Sequence, residues 1–290
     1  MNAFLKLHPS ILSIYFFAII AVTMFSSNPV ILIISLIAST CIYCSLSGFT
    51  KFFIKAKNYA VIIIICTFFN PLFSKNGKTV LYEFWKIKIT LQSLLFGFSF
   101  GVMLICSILW FLCLSQAITS DKILYLFGKR TPKVALTISL SLRLIPDFFA
   151  KFRNTSQAQK ALGIYNKNSL KERIKSASDV FLSVCGDVLE SSAQTSDSMR
   201  ARGFGINKFA VYSNYRFYKH DFLVSSIIAL LIVGFVFGSI FGELKFYYYP
   251  TLPPIPFSTY SIFCYVCFGL LAFLPIIIKF KEDVKWKYLM

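Results

Sequence analysis

The residues with the most evident chemistry are eight cysteines and two histidines. Cys41-x-x-Cys44 and Cys264-x-x-Cys267 have the close spacing of metal-binding and dithiol redox pairs. Both pairs sit inside apolar runs with no His, Asp or Glu nearby. A cysteine in such surroundings behaves as a small hydrophobe, so no metal site is expected. His8 and His220 stand alone at the edges of apolar runs and are expected to be solvated. An integral membrane enzyme would need a Ser-His or His/Asp constellation or a metal at the interface, and two isolated histidines argue against one. No G-x-x-x-x-G-K-[ST] pattern occurs, so the chain lacks a phosphate cradle and should not hydrolyse ATP or carry a cofactor of its own.

The elements that carry these residues follow from the composition. Of 290 residues, 57% are hydrophobic and only 14% charged, with a mean hydropathy of +0.68; soluble domains carry about 25% charged residues. The expected class is an all-α integral membrane protein with about six transmembrane helices. The six apolar runs are Ile11 to Phe25, Val30 to Leu46, Tyr59 to Phe73, Leu91 to Ser115, Phe222 to Phe241 and Tyr260 to Ile278. Each reaches or approaches the roughly 20 residues that cross about 30 Å of hydrocarbon. The third, as short as the first, has a tilted or partly re-entrant course left open. The first two form a helical hairpin around Asn28-Pro29 rather than a cleaved leader. None of the six contains Asp, Glu, Lys, Arg or His, the groups that proton- and ion-coupled transporters use as relays.

Orientation follows from Lys and Arg, which stay on the cytoplasmic side. With the N-terminus inside, 25 of the 30 basic residues are cytoplasmic, leaving Lys75, Lys78, Lys86, Lys88 and Lys245 outside. Both termini are therefore expected in the cytoplasm. Topology and attraction to the anionic lipid bilayer account for the net charge of +18. No nucleic-acid motif accompanies it, and no nucleic-acid partner is expected.

The chain thus divides into residues 1–115 with four N-terminal spans, residues 116–220 forming cytoplasmic helices, and residues 221–290 with two C-terminal spans and a basic tail. In the middle segment, Thr119 to Gly128 reads as a short helix, and Thr131-Pro132 opens a second one, proline being favoured at a first helical position. Arg143 and Asp147 interrupt the apolar part of that helix, and Pro146 should kink it. It lies at the membrane surface; a seventh span there would put the basic segment outside. Gly163 stops it, Tyr165 to Ser169 form a linker, and Ser169 is placed to cap a third helix from about Leu170 to Arg202. At about 1.5 Å per residue that helix is on the order of 50 Å long. Asp187, Glu190, Gln194 and Asp197 share one side; Val188, Ser192, Thr195, Ser196 and Met199 share the other, where small side chains let another helix approach.

The third helix ends with Ala201-Arg202-Gly203-Phe204-Gly205. Basic residues suit a last turn because partial negative charge collects there, and a following glycine can adopt the left-handed cap. This ending, after so long a helix, resembles the Ala-Arg-Gly signature of the T component of energy-coupling factor (ECF) type ABC transporters, the transmembrane subunits that include those of cobalt uptake systems. Ser141-Leu142-Arg143-Leu144-Ile145-Pro146 resembles the family's Leu-Arg-Phe-Ile-Pro stretch, with Arg143 and Pro146 supporting the coupling helices. The resemblance covers roughly Leu91 to Gly205. The family carries two arginine motifs; here Ala161-Leu162-Gly163 stands at the first, with Leu162 in place of Arg and Lys160 nearby. The N-terminal Leu7-His8-Pro9-Ser10 matches the family's opening poorly.

The resemblance implies that the middle segment is a coupling module. Its Ala201, Arg202 and Gly203 would dock one of two ATPase subunits, while a separate substrate-binding membrane S component selects a vitamin or metal ion. ATP would be bound by the partners. The alternative is a self-sufficient secondary transporter or channel, for which discontinuous spans and internal pseudo-symmetry are expected. No repeat between the two halves is evident.

Overall fold

A computed structural model describes residues 3–73, 79–84, 87–128, 131–163, 170–204, 215, 217–241, 244, 246–249, 253–254 and 258–289. The Tyr165 to Ser169 linker with its Ser169 cap, and Gly205, lie outside the described residues. The chain divides into two compact units: Met1–Thr119 with Tyr215–Met290, and Ser120–Asn214.

The first unit holds α1 (Pro9–Phe25), α2 (Pro29–Ser47), α3 (Phe49–Phe73), α4 (Leu91–Ala117), α8 (Lys219–Phe241) and α9 (Thr259–Leu289). Among the described residues, five helical stretches are long and apolar enough to cross a membrane: Pro29–Ser47, Phe52–Phe73, Leu91–Ala117, Lys219–Ile240 and Thr259–Lys281. Pro9–Phe25 is a shorter apolar helix of 17 residues. The protein is an all-α integral membrane protein with one small addition. Strands β1 (Val80–Phe84) and β2 (Ile87–Thr90) pair antiparallel between α3 and α4. The alternation of Ile87 and Ile89 with Lys88 and Thr90 was a period-two signal for it.

The third span differs from expectation. α3 is 25 residues long and continuous, starting well before Tyr59. Its first turns intersperse lysines with Phe49, Phe52, Phe53 and Ile54; Lys55 and Lys57 are exposed, as long lysine stems at a helix end can be. α9 likewise continues through Lys279 and Lys281. His8 is buried rather than solvated. Its Nδ1 accepts from the Ser10 backbone N–H at 3.3 Å, capping α1, and its ring stacks on Phe217 at 3.9 Å. His220 is exposed.

The helices of this unit meet through small residues and closed hydrogen-bond chains, because lipid tails are as apolar as leucine and helix association must rest on packing. A Cβ added at Gly97 of α4 would lie 2.8 Å from the Cys66 carbonyl oxygen and 3.0 Å from Thr67 Cα of α3. At Gly101 it would lie 3.1 Å from Ile63 Cα and 3.4 Å from Cys66 Cβ. Gly97-x-x-x-Gly101 is thus the seam that lets α3 lie on α4. Gly234-x-x-x-Gly238 of α8 does the same against α9, where an added Cβ at Gly238 would stand 2.5 Å from Cys264 Sγ.

In the bundle centre, Trp110 Nε1 donates to Ser35 Oγ at 2.9 Å, Ser35 Oγ lies 3.1 Å from Thr23 Oγ1, and Thr23 donates to the Ile19 carbonyl at 2.8 Å. With one proton per hydroxyl, Ser35 donates to Thr23 and every donor in the chain is satisfied. Asn28, fully buried in the α1–α2 turn, accepts from the Val30 N–H at 3.0 Å and donates to the Tyr265 hydroxyl of α9 at 2.8 Å.

The second unit contains α5 (Ser120–Gly128), α6 (Pro132–Ala161) and α7 (Leu170–Ala201), packed in that order. α6 runs helical through Pro146 for 30 residues, so the proline removes one N–H without ending the helix.

The glycine seam is directly testable. Gly101→Cys would bring a second Cβ to 3.4 Å from that of Cys66, at the close edge of the about 3.5–4.5 Å separation of a disulfide, so a shift of a few tenths of an ångström allows the bond. In a background with the other cysteines replaced by serine, mild oxidant should make both thiols unreactive to maleimide. Persistent double labelling would contradict the α3–α4 packing.

Candidate coupling site

The two long helices of the second unit pack through Phe148 and Phe181, with ring centroids 6.4 Å apart and edge to face. One turn further along, Lys151 Nζ donates to Ser191 Oγ at 2.6 Å and to the Asp187 carbonyl at 3.4 Å. Beyond that, Asn154 and Thr155 line a polar groove with Glu190 and Gln194. Residue numbers rise together along this contact. The helices therefore run in the same sense across it.

α7 is sided as its pattern requires, with one revision. Ser176, Val180 and Val184 are buried and Val188 and Ser192 half-buried, forming its least exposed line. Thr195 and Ser196, expected on that side, are exposed, as are Asp187, Glu190, Gln194 and Asp197. The i, i+4 repeat of Ser176, Val180, Val184 and Val188 was the stronger packing signal in the sequence.

Both C-terminal ends are built alike. The Gly203 N–H donates to the Arg200 carbonyl at 2.9 Å and the Phe204 N–H to the Met199 carbonyl at 3.0 Å, the paired bonds of a Schellman cap. Gly203 has φ 82°, the left-handed conformation that a side chain resists. At the end of α6, the Leu162 N–H donates to the Ala158 carbonyl and the Gly163 N–H to the Lys160 carbonyl, both at 3.1 Å. Gly163 has φ 75°. Each cap therefore presents the residue just before its glycine outward: Leu162 is 75% exposed and Arg202 is exposed. The backbone platform is shared, and only the side chain differs. Ala161 and Ala201 are exposed beside them. Arg200 and Lys160 complement the helix dipoles in the last turns.

Arg143 and Pro146 are exposed on α6, in a stretch where Leu142, Leu144, Ile145 and Phe149 are exposed as well. On α7, Ile174, Phe181, Leu182 and Leu189 are each more than half exposed. These apolar side chains stand exposed beside charged ones on both helices. Exposed apolar patches of this kind mark interaction surfaces. Among the described residues there is no cluster of His, Cys, Asp or Glu able to hold a metal ion. Lys122 of α5 is buried, and loss of solvation lowers its pKa.

Residues 4–211 match the family of cobalt transport proteins, CbiQ. The energy-coupling factor transporter transmembrane protein EcfT 1 of Listeria monocytogenes is 24% identical over 201 residues, covering 64% of this chain and 74% of the relative. The energy-coupling factor transporter transmembrane protein EcfT of Streptococcus equi subsp. equi is 27% identical over 196 residues, covering 63% and 72%. The matched segment contains α1 to α7, including both capped helix ends. The chain therefore belongs to the cobalt transport protein family, CbiQ.

Proposed function

We propose that this chain transmits ATP-driven motion from two cytoplasmic ATPase subunits to a substrate-binding membrane S component, for uptake of a vitamin or metal ion. It acts without catalysing a reaction or holding a cofactor, ATP being bound by its partners. The observation that carries the reading is the pair of like helix ends, both capped by a left-handed glycine and both offering one exposed side chain, Leu162 or Arg202. A guanidinium at a helix end makes charge-assisted, often bidentate bonds to carboxylates in a groove. Leucine makes only apolar contact. Arg202 is therefore the dominant ATPase contact, and the two coupling helices contribute unequally. Arg143 and Pro146 support the coupling helix α6, whose exposed apolar stretch, with that of α7, suits a membrane-embedded partner.

The basic asymmetry of 25 residues to five supports a cell-membrane orientation with both termini and the second unit in the cytoplasm. A single cysteine at the exposed Ser183 of α7 should be labelled only from inside, and one at Ser258, just before α9, only from outside. External labelling of Ser183→Cys would overturn the topology and the ATPase docking with it.

Reconstituted alone in liposomes, the chain should show neither ATP hydrolysis nor ion-driven uptake. Uptake with no second polypeptide present would favour a self-sufficient transporter.

The docking assignment predicts that Arg202→Ala abolishes most ATPase co-purification and uptake at unchanged membrane levels. Removing one partner of a buried charged pair costs about 2 to 5 kcal/mol, whereas the dipole term at an exposed helix end is worth only about 0.3 to 1 kcal/mol. Leu162→Ala should have the smaller effect. Arg202→Lys should recover little, because a point charge does not reproduce the planar fork. Full retention of partners and uptake by Arg202→Ala would reduce the motif to a helix cap.

A further inference from the structure

α1 and α8 lie together over only part of their length. Ile11, Tyr15 and Ile19 of α1 and Val224, Ile228 and Leu231 of α8 are buried in one core. Further along both helices the cover is lost. Ala21 and Val22 are half-buried and Phe25 is 90% exposed, while Phe235 and Ser239 of α8 are half-buried. The glycine seam supplies the reason. The atoms nearest to an added Cβ at Gly234 and Gly238 all belong to α9, so this end of α8 leans on α9 rather than on α1. α1 also ends early: its 17 residues span about 25 Å, short of roughly 30 Å of hydrocarbon, whereas α8 has 23 residues.

A groove of about 490 Å³ remains between the two helices, far more than the about 10–15 Å³ that admits one water. Val22, Phe25, Phe235, Leu244 and Phe246 line it, together with Ser27 and Ser239. Its wall is tied down. The chain after α8 is held to the α1–α2 turn, Asn28 Nδ2 donating to the Leu244 carbonyl at 3.5 Å and the Tyr248 hydroxyl to the Ser27 carbonyl at 3.2 Å. Phe25 both lines the groove and stands exposed beside Phe17 and Met24 of α1. The groove is therefore continuous with the apolar outer face of the bundle, whose surround is hydrocarbon. Apolar walls left bare forfeit their dispersion contacts, and an apolar space offers water too few polar partners.

We propose that an acyl chain of a bilayer phospholipid occupies the α1–α8 groove as a lasting part of the fold, supplying the packing that the glycine seam withholds from this side of α8. In the orientation proposed above, the lipid comes from the outer leaflet. The site is separate from the helix ends assigned to ATPase docking and does not depend on that reading.

The test places the full chain in liposomes of phosphatidylcholine carrying a photoactivatable diazirine within one acyl chain, and maps the adducts by peptide mass spectrometry. Adducts should be denser at residues 21–27 and 235–239 than at residues 61–69, an exposed apolar stretch of α3. Ala21→Trp and Ser239→Phe, which fill the groove from its two sides, should each remove that excess and leave the α3 adducts unchanged. Phospholipid that stays with the wild-type chain through purification in mild detergent should be lost from both variants. Equal adduct density at the two places, or an excess and retained lipid that survive both fillings, would overturn the proposal. A photoreactive benzoylphenylalanine at Ser27 in the cell membrane should cross-link to lipid; a protein adduct there would assign the groove to a partner chain instead.

Discussion

A chain inside hydrocarbon has no water to satisfy its backbone, so every N–H and C=O must find a partner within the protein, and helices do this segment by segment. What helices cannot obtain from lipid is a reason to associate, since moving leucine from lipid to protein gains little. This protein answers with close approach and closed polar chains. The Gly97 and Gly101 seam brings α3 onto α4, and the Gly234 and Gly238 seam brings α8 onto α9. Trp110, Ser35 and Thr23 join α4, α2 and α1 through hydrogen bonds that leave no donor unused. Asn28 joins the α1–α2 turn to α9. The outer faces remain apolar because lipid is their solvent: Phe17, Phe25, Phe53, Phe68 and Phe222 are each more than two-thirds exposed.

The second unit differs in composition. α6 and α7 together carry Arg, Lys, Asp and Glu along faces that no membrane span could tolerate. Their contact mixes the Phe148–Phe181 ring pair with the Lys151–Ser191 hydrogen bond. Apolar side chains also stand exposed on these helices, and such patches mark interaction surfaces. The two helix ends share one ordinary local structure. A left-handed glycine after a long helix is a common stop, and here it also turns the preceding side chain outward. Because the backbone at the two ends is alike, the difference between Leu162 and Arg202 is a difference of chemistry on one scaffold.

Much of this was legible in the sequence. Apolar runs, the Lys and Arg asymmetry and the Ala-Arg-Gly ending rest on local physics: hydropathy, helix length and cap chemistry act within one segment. The six apolar segments, the second unit's long helices and the glycine stops are therefore readable residue by residue. Where the reading failed, the cause was local in one place and non-local in another. α3 starts at Phe49, ahead of its lysines, with aromatic residues interleaved among them. His8 is buried because Phe217, more than two hundred positions away, stacks on it.

Spacing alone placed Gly97 and Gly101 four residues apart, yet only packing decided that α3 is the helix they receive. Lys279 was one basic residue among four in a C-terminal tail. Its hydrogen bond to Ser45 joins residues 234 positions apart in the chain. Composition determined that this protein lives in a bilayer, and the resemblance of a helix ending to a family signature pointed to its family. Which helices touch, and which charged side chains turn inward, was decided only by the tertiary structure, because those contacts join segments that share no local signal.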